Sequence, residues 1–460
     1  PGTDGALALA MMNVLVKEGS ADEEFLDNNA EGYSEFKETL SEYTPKWAEN
    51  ITGIASETII ELALEYGKAY APAIILGSGN SRYGNGAMTV RLITILSLFT
   101  GAWKKKGGGL CGCTPIDTSY INLSLIKRPD FRKEPSKKIN INQLGTAVND
   151  KNIKSLYVYG SNPVNSVSNT TAVVEGLKRD DLFTVVHERF MTDTAKYADI
   201  ILPATFSVEQ SDVYEAYGYC TLSTAYKIVE PKGQCRSNWN TFKALAEGMG
   251  YDDEYFKRTE EEMLDIVLDN PTEALGKISD DDRKTLKNGG SISMPFAEHT
   301  KWRTKSGKIK IANEKLEEKM PRYTECYGGK YPLALVSVPS SHTLNSIFTQ
   351  RDDMVENRGN MRLIINCKDA CERNIKSGDK ILCFNDLAEV GFEAYVTDNI
   401  AVGAVAAVGV YTSSQTMNGL GVNALHHDRL SDLGAATTMN DNKVDIKLML
   451  SLIHISEPTR

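Results

Sequence analysis

The loop at residues 77–86 is the first place where residue types and spacing could bind a ligand. It reads Gly-Ser-Gly-Asn-Ser-Arg-Tyr-Gly-Asn-Gly and lies between a predicted strand at 73–77 and a predicted helix at 87–100. In a parallel sheet, such a loop turns its amides and the helix N-terminus toward the carboxyl edge, where phosphates bind. Its glycines do not complete a G-x-G-x-x-G pattern, so the residues alone leave phosphate binding and a plain turn equally open.

Two further clusters carry side chains that could bind a polar ligand. His187-Glu188 ends a predicted strand at 182–188, and Ser340-Ser341-His342-Thr343 follows another predicted strand. Together they offer carboxylate, imidazole and hydroxyl groups for hydrogen bonding. A surface strand end and a solvated loop explain the two clusters equally well. His342 could act as a general base, but the sequence places no acid beside it.

Several common catalytic patterns are absent from the sequence. It contains no G-x-x-x-x-G-K-[ST], H-E-x-x-H, G-x-S-x-G or C-x-x-C. Their absence speaks against a P-loop ATPase, and against the commonest zinc hydrolases, serine hydrolases and thioredoxin-like proteins. The pairs Cys111/Cys113 and Cys367/Cys371 lack partners at the spacing of a zinc or iron–sulfur site, so free thiols are the favoured interpretation.

The composition predicts a large protein that neither binds nucleic acid nor inserts into a membrane. With 460 residues, 41% of them apolar, about three domains are expected. The 51 Lys and Arg against 61 Asp and Glu give a net charge of −10, which disfavours binding to a nucleic-acid backbone. No apolar run reaches the roughly 18 residues that a membrane-spanning helix needs. Eight scattered cysteines favour a cytoplasmic location.

Strands and helices alternate along the first two thirds of the chain. The strand, loop and helix at 73–100 are followed by predicted strands at 155–159, 182–188 and 199–203, with short helices around 170–177 and 192–198. This order predicts an α/β region with parallel pairing. Beyond residue 331, five short β-branched runs (333–338, 361–366, 380–384, 391–396 and 404–411) predict a compact β-barrel.

Both ends of the chain have unusual sequences. The chain starts at Pro1 and enters an apolar helical pattern without a leader, so we expect further sequence upstream. Residues 450–460, Leu-Ser-Leu-Ile-His-Ile-Ser-Glu-Pro-Thr-Arg, can be back-translated into a sequencing adapter. We therefore expect this segment to be a translated adapter outside the fold, with a native polar tail as the alternative.

Short motifs are spread along almost the whole chain: Pro1-Gly2-Thr3-Asp4, the loop 77–82, Gly160-Ser-Asn-Pro163, the stretches 188–195 and 197–204, Ser306-Gly-Lys-Ile309 and Gly378-Asp379. In their order and spacing they resemble the molybdopterin oxidoreductase family, the dimethyl sulfoxide reductase group, and in particular its formate dehydrogenase-like catalytic subunits. The resemblance implies two partial parallel-sheet dinucleotide-binding domains, at 1–112 and 113–328, followed by a C-terminal β-barrel domain at 330–449.

The resemblance also implies a cofactor and partners. Members hold molybdenum or tungsten between two molybdopterin guanine dinucleotides, commonly beside a [4Fe–4S] cluster. The metal-ligating residue and the cluster cysteines of the family lie upstream of the motif at Pro1, so no metal ligand is expected in this chain and the chain alone is expected to be inactive. A small-molecule substrate and an iron–sulfur or other electron-transfer partner are expected. A periplasmic location stays open, because an export leader would also lie upstream.

Eleven residues match cofactor contacts of the family. Ser78 and Arg82 match pterin-dinucleotide contacts, Asn162 a phosphate or ribose contact, and His187, Glu188 and Asn238 guanosine contacts. The segment 341–343 matches residues that lie along the pterin, and Asn423 and Lys443 match two later contacts to the same cofactor. For these last two residues the alternatives are that Asn423 caps a turn and that Lys443 is a solvated surface lysine. The residues of the C-terminal domain are Ser341, His342, Thr343, Asn423 and Lys443.

The implied activity is a two-electron oxidoreductase reaction, with formate oxidation or carbon dioxide reduction as the first expectation. Arg82 replaces a neutral amide found in several formate and nitrate enzymes, so other substrates stay open. A non-catalytic electron-transfer or structural subunit that kept the fold is the alternative. An unrelated nucleotide-binding module would not explain the C-terminal motifs.

Overall fold

A computed structural model describes residues 1–112, 121–216, 220–272, 278–294, 302 and 304–449. The expected adapter segment 450–460 and Cys113 lie outside these residues. The helices are α1 (Asp4–Lys17), α2 (Glu23–Asn29), α3 (Tyr33–Thr39), α4 (Pro45–Thr52), α5 (Ser56–Lys68), α6 (Gly86–Leu96), α7 (Ser124–Lys127), α8 (Leu144–Asn149), α9 (Pro163–Ser166), α10 (Thr170–Leu177), α11 (Asn238–Gly248), α12 (Glu260–Asp269), α13 (Asp280–Lys287), α14 (Asp352–Arg358) and α15 (Cys367–Glu372). The strands are β1 (Ala30–Glu31), β2 (Ala73–Leu76), β3 (Gly109–Gly112), β4 (Ser155–Tyr159), β5 (Phe183–Glu188), β6 (Ile200–Pro203), β7 (Asp212–Glu215), β8 (Thr221–Ala225), β9 (Ser291–Ser293), β10 (Ile309–Lys310), β11 (Leu333–Val338), β12 (Arg362–Asn366), β13 (Lys380–Phe384), β14 (Glu389–Thr397), β15 (Ala404–Val408) and β16 (Asn442–Leu448).

The first region contains the elements from α1 to β3 and is built around α1, which is buried along most of its length. Ala, Leu, Met and Val occupy almost every position of this helix, so it has no polar face and packs against α4, α5 and α6. The short strands β1 and β10 pair in parallel, which brings Ile311 into the same core although it lies about 300 residues downstream. The segment around 302–323 therefore packs on the first region.

The strand predicted at 73–77 is present as β2, but the prediction that it is buried is wrong. β2 pairs in parallel with β3, and among the described residues the two form a two-stranded sheet. Ile74 and Leu76 pack against the first core, whereas Ile75 is 82% exposed. Alternate residues of a strand point to opposite faces, and only one face of this sheet is covered by described residues.

The second region contains the sheet of β4, β5 and β6, which confirms the predicted parallel pairing. β4, β5 and β6 lie in that order, with Tyr159 opposite His187 and Glu188 opposite Pro203. Apolar residues of α8 and α10 cover one face of this sheet. The carboxyl ends of three strands therefore meet at one edge. The helix predicted at 192–198 is only a 3₁₀ turn, Ala195–Tyr197.

The third region is a closed barrel with strand order β11-β15-β12-β14-β13-β16. The five predicted strands are present, and the barrel is closed by a sixth strand, β16, that the sequence analysis missed. β16 alternates buried Val444 and Ile446 with charged residues, so its apolar content is too low to mark it as a strand. Among all described residues, no helix combines the length and apolarity needed to cross a membrane.

Candidate functional site

His187 lies at the carboxyl end of β5 and is 2% exposed. Its Nε2 is 3.1 Å from the carbonyl oxygen of Arg236. Because a carbonyl can only accept, this contact assigns the proton of the neutral ring to Nε2 and leaves Nδ1 as an acceptor. Nδ1 is buried and has no hydrogen-bond partner among the described residues. An unsatisfied buried acceptor costs about 1–3 kcal/mol, so a ligand donor at this position would be favourable.

Glu188 follows His187 at the end of β5, and Asn238 belongs to α11, a helix that contacts His187. The Glu188 side chain is 13% exposed, and its Oε1 accepts a hydrogen bond of 2.7 Å from the amide of Arg189. Asn238 is the exposed first residue of α11, and the same helix reaches His187 through Thr241, whose hydroxyl is 3.5 Å from Nε2. The strand end and the start of α11 therefore come together, as a guanosine site requires. Asn238 also lines a cavity of about 320 Å³, which it shares with Tyr159, Ser237, Trp239 and Glu260.

Asn162 is buried in the turn after β4, and its amide is engaged within the protein. Its Nδ2 donates to Asn165 Oδ1 over 2.7 Å, and its Oδ1 accepts from the Thr194 hydroxyl over 2.7 Å. These bonds tie the turn after β4 to the loop after β5. Its predicted contact with a phosphate or ribose stays a prediction, and one Nδ2 hydrogen is left to make it.

Asn423 takes part in a buried chain of hydrogen bonds between the barrel and the second region. Its Nδ2 donates to the Asn165 carbonyl over 2.5 Å, and its Oδ1 lies 2.9 Å from His426 Nδ1. His426 Nε2 lies 2.9 Å from the Ser337 hydroxyl on β11. Burial lowers the pKa of His426 to about 3, so the ring is neutral, with Nδ1 donating and Nε2 accepting. Asn423 thus has a structural role in addition to its predicted one.

Asp193 is a second connection between these two regions. Its carboxylate is buried and accepts hydrogen bonds from the Ser413 amide over 2.6 Å, the Ser413 hydroxyl over 2.8 Å and Asn165 Nδ2 over 2.9 Å. Lys196 Nζ lies 2.6 Å away. Burial raises the pKa of this carboxyl, but Lys196, Ser413 and Asn165 together outweigh burial and lower the pKa below its usual value.

Arg82 and Lys443 carry cationic side chains without hydrogen-bond or ion-pair partners among the described residues. The loop after β2 forms a 3₁₀ turn, Ser78–Ser81, in which the Ser78 carbonyl accepts from the Ser81 hydroxyl over 2.8 Å. Neither the guanidinium of Arg82 nor the ammonium of Lys443 makes a hydrogen bond or ion pair with another described residue. The Arg82 carbonyl accepts from the amide of Asn440, three residues before Lys443. An unpaired guanidinium or ammonium group can bind a phosphate oxygen of a ligand.

The N-terminus of α6 differs from the expected phosphate site. The Ala87 amide donates to Asp432 Oδ1 and the Met88 amide donates to Asp432 Oδ2, both over 2.9 Å. Asp432 comes from the segment between the barrel strands β15 and β16. The chain itself therefore supplies the anion at this helix, and a phosphate cannot use the same two amides.

The segment after β11 presents side chains at one end of the barrel. Ser341 and His342 are exposed, while Thr343 is 4% exposed and its hydroxyl has no partner among the described residues. The Ser340 hydroxyl accepts from the amides of His342 and Thr343, at 3.0 and 3.4 Å, and this fixes the turn. A buried hydroxyl without a partner fits a polar ligand lying along this segment.

Comparison with known proteins gives the family. Residues 1–248 match "Molybdopterin oxidoreductase" and residues 333–442 match "Molydopterin dinucleotide binding domain". The chain belongs to the molybdopterin oxidoreductase family. This confirms the resemblance drawn from the motifs, including the dimethyl sulfoxide reductase group. Family members are molybdopterin-dependent oxidoreductases.

The similar proteins are named for different enzymatic activities. The chain is 35% identical to "Probable oxidoreductase YoaE" of Bacillus subtilis, covering 97% of this chain and 67% of that protein. It is 29% identical to the "F420-dependent formate dehydrogenase subunit alpha" of Methanocaldococcus jannaschii, covering 88% of this chain and 63% of the relative. A "Trimethylamine-N-oxide reductase" of Haemophilus influenzae is 27% identical, with 88% and 58% covered.

One solved structure supports the fold. The acetylene hydratase from Pelobacter acetylenicus superposes with a TM-score of 0.76 at 19% identity, covering 97% of this chain and 70% of that chain. At this identity the likeness shows the fold alone. Together, the comparisons show that this chain spans about two thirds of the length of the proteins it matches.

The described residues fit a pterin dinucleotide. They supply a buried acceptor at His187, a carboxylate at Glu188, a buried hydroxyl at Thr343, and unpaired cations at Arg82 and Lys443. These groups match the donors of a guanine base, the hydroxyls of a ribose and the charge of a pyrophosphate.

Three residues that the sequence analysis did not single out organise this site. Asn165 joins Asn162 to Asn423, Asp193 holds Ser413, and Asp432 caps α6. Asp193 lies within the stretch 188–195 that carries the resemblance, which was the only signal for it. Asn165 and Asp432 have no local signal, because their partners are distant in sequence.

Proposed function

We propose that this chain is the pterin-dinucleotide-binding portion of a molybdenum or tungsten oxidoreductase with two molybdopterin guanine dinucleotides, and that formate is its substrate. The observation that carries the proposal is the buried, unsatisfied Nδ1 of His187 beside Glu188 at the carboxyl end of β5. The metal-ligating residue and a [4Fe–4S] cluster would be held by residues outside this chain.

The residues of the chain would bind and orient the cofactor. When bound, the metal–pterin centre supplies two-electron redox chemistry. His187 Nδ1 and Glu188 would accept hydrogen bonds from guanine N–H groups or ribose hydroxyls, because both present acceptors and no donor among the described residues pairs with Nδ1. Arg82 and Lys443 would offset pyrophosphate charge, and Thr343 would hydrogen-bond along the pterin.

Formate is the first candidate substrate because a relative covering 88% of this chain is named a formate dehydrogenase subunit. N-oxides and S-oxides are the competing substrates, since other relatives are named for them. Oxidation of formate releases two electrons, so an iron–sulfur or other electron-transfer protein is the proposed partner. The scattered cysteines support a cytoplasmic location.

The test is a cofactor analysis of the full-length protein. Guanine nucleotide released by acid hydrolysis and bound molybdenum or tungsten would be measured together with formate-dependent dye reduction. Two guanine nucleotides and one metal per protein, with formate activity, are expected. A protein that folds but holds no guanine nucleotide would instead indicate the non-catalytic electron-transfer or structural subunit.

Variants locate the guanosine site within that experiment. Glu188→Gln replaces an acceptor oxygen by an amide donor at nearly constant size, so retained guanine nucleotide should fall. Glu61→Gln makes the same chemical change on the exposed surface of α5 and should leave it unchanged. Equal retention in both variants would remove Glu188 from the site.

A further inference from the structure

The backbone at 82–88 is covered by a segment that is distant in sequence. The amide of Asn440 donates to the Arg82 carbonyl over 3.1 Å, and the amide of Asp432 donates to the Gly84 carbonyl over 2.8 Å. In the other direction, the Gly84 amide donates to Asp441 Oδ2 over 2.8 Å. We call residues 432–441 the clasp. Three backbone groups within the loop 77–86 are thus paired with the clasp.

The clasp also supplies two carboxylates where a phosphate would otherwise be expected. The first amides of a helix have no intrahelical acceptor and lie at the positive end of its dipole. Asp432 fills this position with both oxygens, at 2.9 Å from the Ala87 and Met88 amides. Asp441 is 5% exposed and accepts from the amides of Gly84 and Tyr327, at 2.8 and 2.9 Å.

The glycines of the loop are what permit this approach. A Cβ added at Gly84 would lie 2.9 Å from Asp441 Oδ2 and 2.7 Å from the Tyr327 ring. A Cβ at Gly86 would lie 2.7 Å from the backbone of Ser81. By contrast, Gly77 and Gly79 have no neighbour within 4 Å. Gly84 thus allows the close approach of Asp441, and Gly86 that of the Ser81 backbone, whereas Gly77 and Gly79 leave the turn at Ser78 open.

We propose that the N-terminus of α6 is an anion site whose ligand is the Asp432 carboxylate of the same chain. Asp432 and Asp441 dock the barrel region onto the first region and position the turn Ser78–Arg82. The statement that this turn faces a pterin dinucleotide rests on the proposed function, whereas the docking does not. Asp432 and Asp441 are positioning residues, since they act through the loop backbone.

Hydrogen exchange followed by mass spectrometry tests the docking in the full-length protein. Asp432→Ala should speed amide exchange in 84–96 about fivefold, because a helix cap is lost. Inorganic phosphate should slow this exchange again by binding the vacated amides, and it should have no effect on the unaltered protein. Asp428→Ala is the matched control, because Asp428 lies just before the clasp and contacts Thr146 of the second region over 3.0 Å.

A milder variant keeps the test decisive if Asp432→Ala folds poorly. Asp432→Asn retains one acceptor oxygen, so its exchange should lie between those of the alanine variant and the unaltered protein. Unchanged exchange in 84–96, equal acceleration throughout the chain, or the absence of phosphate rescue would each overturn the proposal. Because the readout is exchange without added cofactor, failure of the proposed function would leave this result standing.

Discussion

At the scale of single residues, replacing His187 should affect ligand binding and protein stability differently. Replacing His187 by Phe removes one hydrogen bond to the Arg236 carbonyl, worth about 0.5–1.5 kcal/mol, and also removes a buried unsatisfied acceptor that costs about 1–3 kcal/mol. The two effects oppose each other. From the middle of each range, we expect the free energy of unfolding of the cofactor-free protein to rise by about 1 kcal/mol.

Retention of guanine nucleotide should nevertheless fall in the His187→Phe variant, because Nδ1 is its proposed acceptor. Thermal unfolding of the cofactor-free protein and guanine content of the purified protein measure the two effects separately. Thr184→Val, a buried change on the same strand, is the control for packing. Loss of stability with unchanged guanine content would assign His187 a purely structural role.

His426 gives a prediction of pH dependence. Burial and, to a smaller extent, the neighbouring His427 lower its pKa from 6.5 to about 3. Between these values the unfolded chain binds a proton that the folded chain does not, so stability is full above pH 6.5 and decreases as the pH falls. The expected slope is about 1.4 kcal/mol per pH unit.

His426→Gln should flatten this acid-side slope, since glutamine does not titrate. Part of the slope should remain, because burial also lowers the pKa of His427. Denaturant unfolding would measure the slopes at several pH values between about 4 and 7, which is roughly the range in which histidines titrate. The exposed His342→Gln should retain the full slope. Identical slopes in both variants would contradict the assignment to His426.

At the scale of elements, the loop before α6 predicts a contrast between two glycines. Gly84→Ala places a methyl group 2.7 Å from Tyr327 and 2.9 Å from Asp441 Oδ2, so one of them must move. We expect a loss of about 1–3 kcal/mol in the free energy of unfolding. Gly79→Ala meets no atom within 4 Å and has no positive φ, so it should be neutral or slightly stabilising. Denaturant unfolding compares the two, and equal losses would mean that the clasp does not constrain Gly84.

The elements also show what the sequence could and could not predict. The parallel strands β4–β6 and five barrel strands have local apolar runs with clear ends, and these were predictable. β16 was missed because charged residues alternate with Val444 and Ile446, and its burial comes from partners far away in the chain. The strand at 73–77 has the same apolar character as a buried strand, but only its neighbours decide how much of it is covered.

The site was predictable where a motif carries it and not where distant residues meet. The motif residues His187, Glu188 and Asn162 lie together at one sheet edge, as the order of strands implied. In contrast, the contact of Asp432 with Ala87 spans 345 residues and that of Asp193 with Ser413 spans 220 residues. No periodicity or spacing within one element encodes such pairs, because they depend on how the three regions pack.

At the scale of the whole molecule, Asp193 should control how the barrel docks on the second region. Asp193→Asn removes the charge that accepts from the Ser413 amide and hydroxyl, so a buried donor loses part of its acceptor. We expect a loss of about 1–3 kcal/mol, with faster hydrogen exchange confined to the segments around 163–166 and 411–415. The pKa of Asp193 is lowered in the fold, so its contribution is present above the usual carboxyl pKa and is lost as the pH falls through the lowered value.

The control for Asp193→Asn is an exposed carboxylate, Asp181, which makes two ion pairs where Asp193 makes one. Asp181 lies 2.7 Å from Lys154 and 2.8 Å from Arg179 on the exposed surface of the second region. Asp181→Asn should leave both the unfolding transition and the exchange pattern unchanged, since exposed ion pairs are screened by solvent. If the two variants behave alike, burial of Asp193 between the regions does not matter. If only Asp193→Asn loosens the 411–415 segment, this buried carboxylate fixes the barrel on the second region, as the clasp does on the first region.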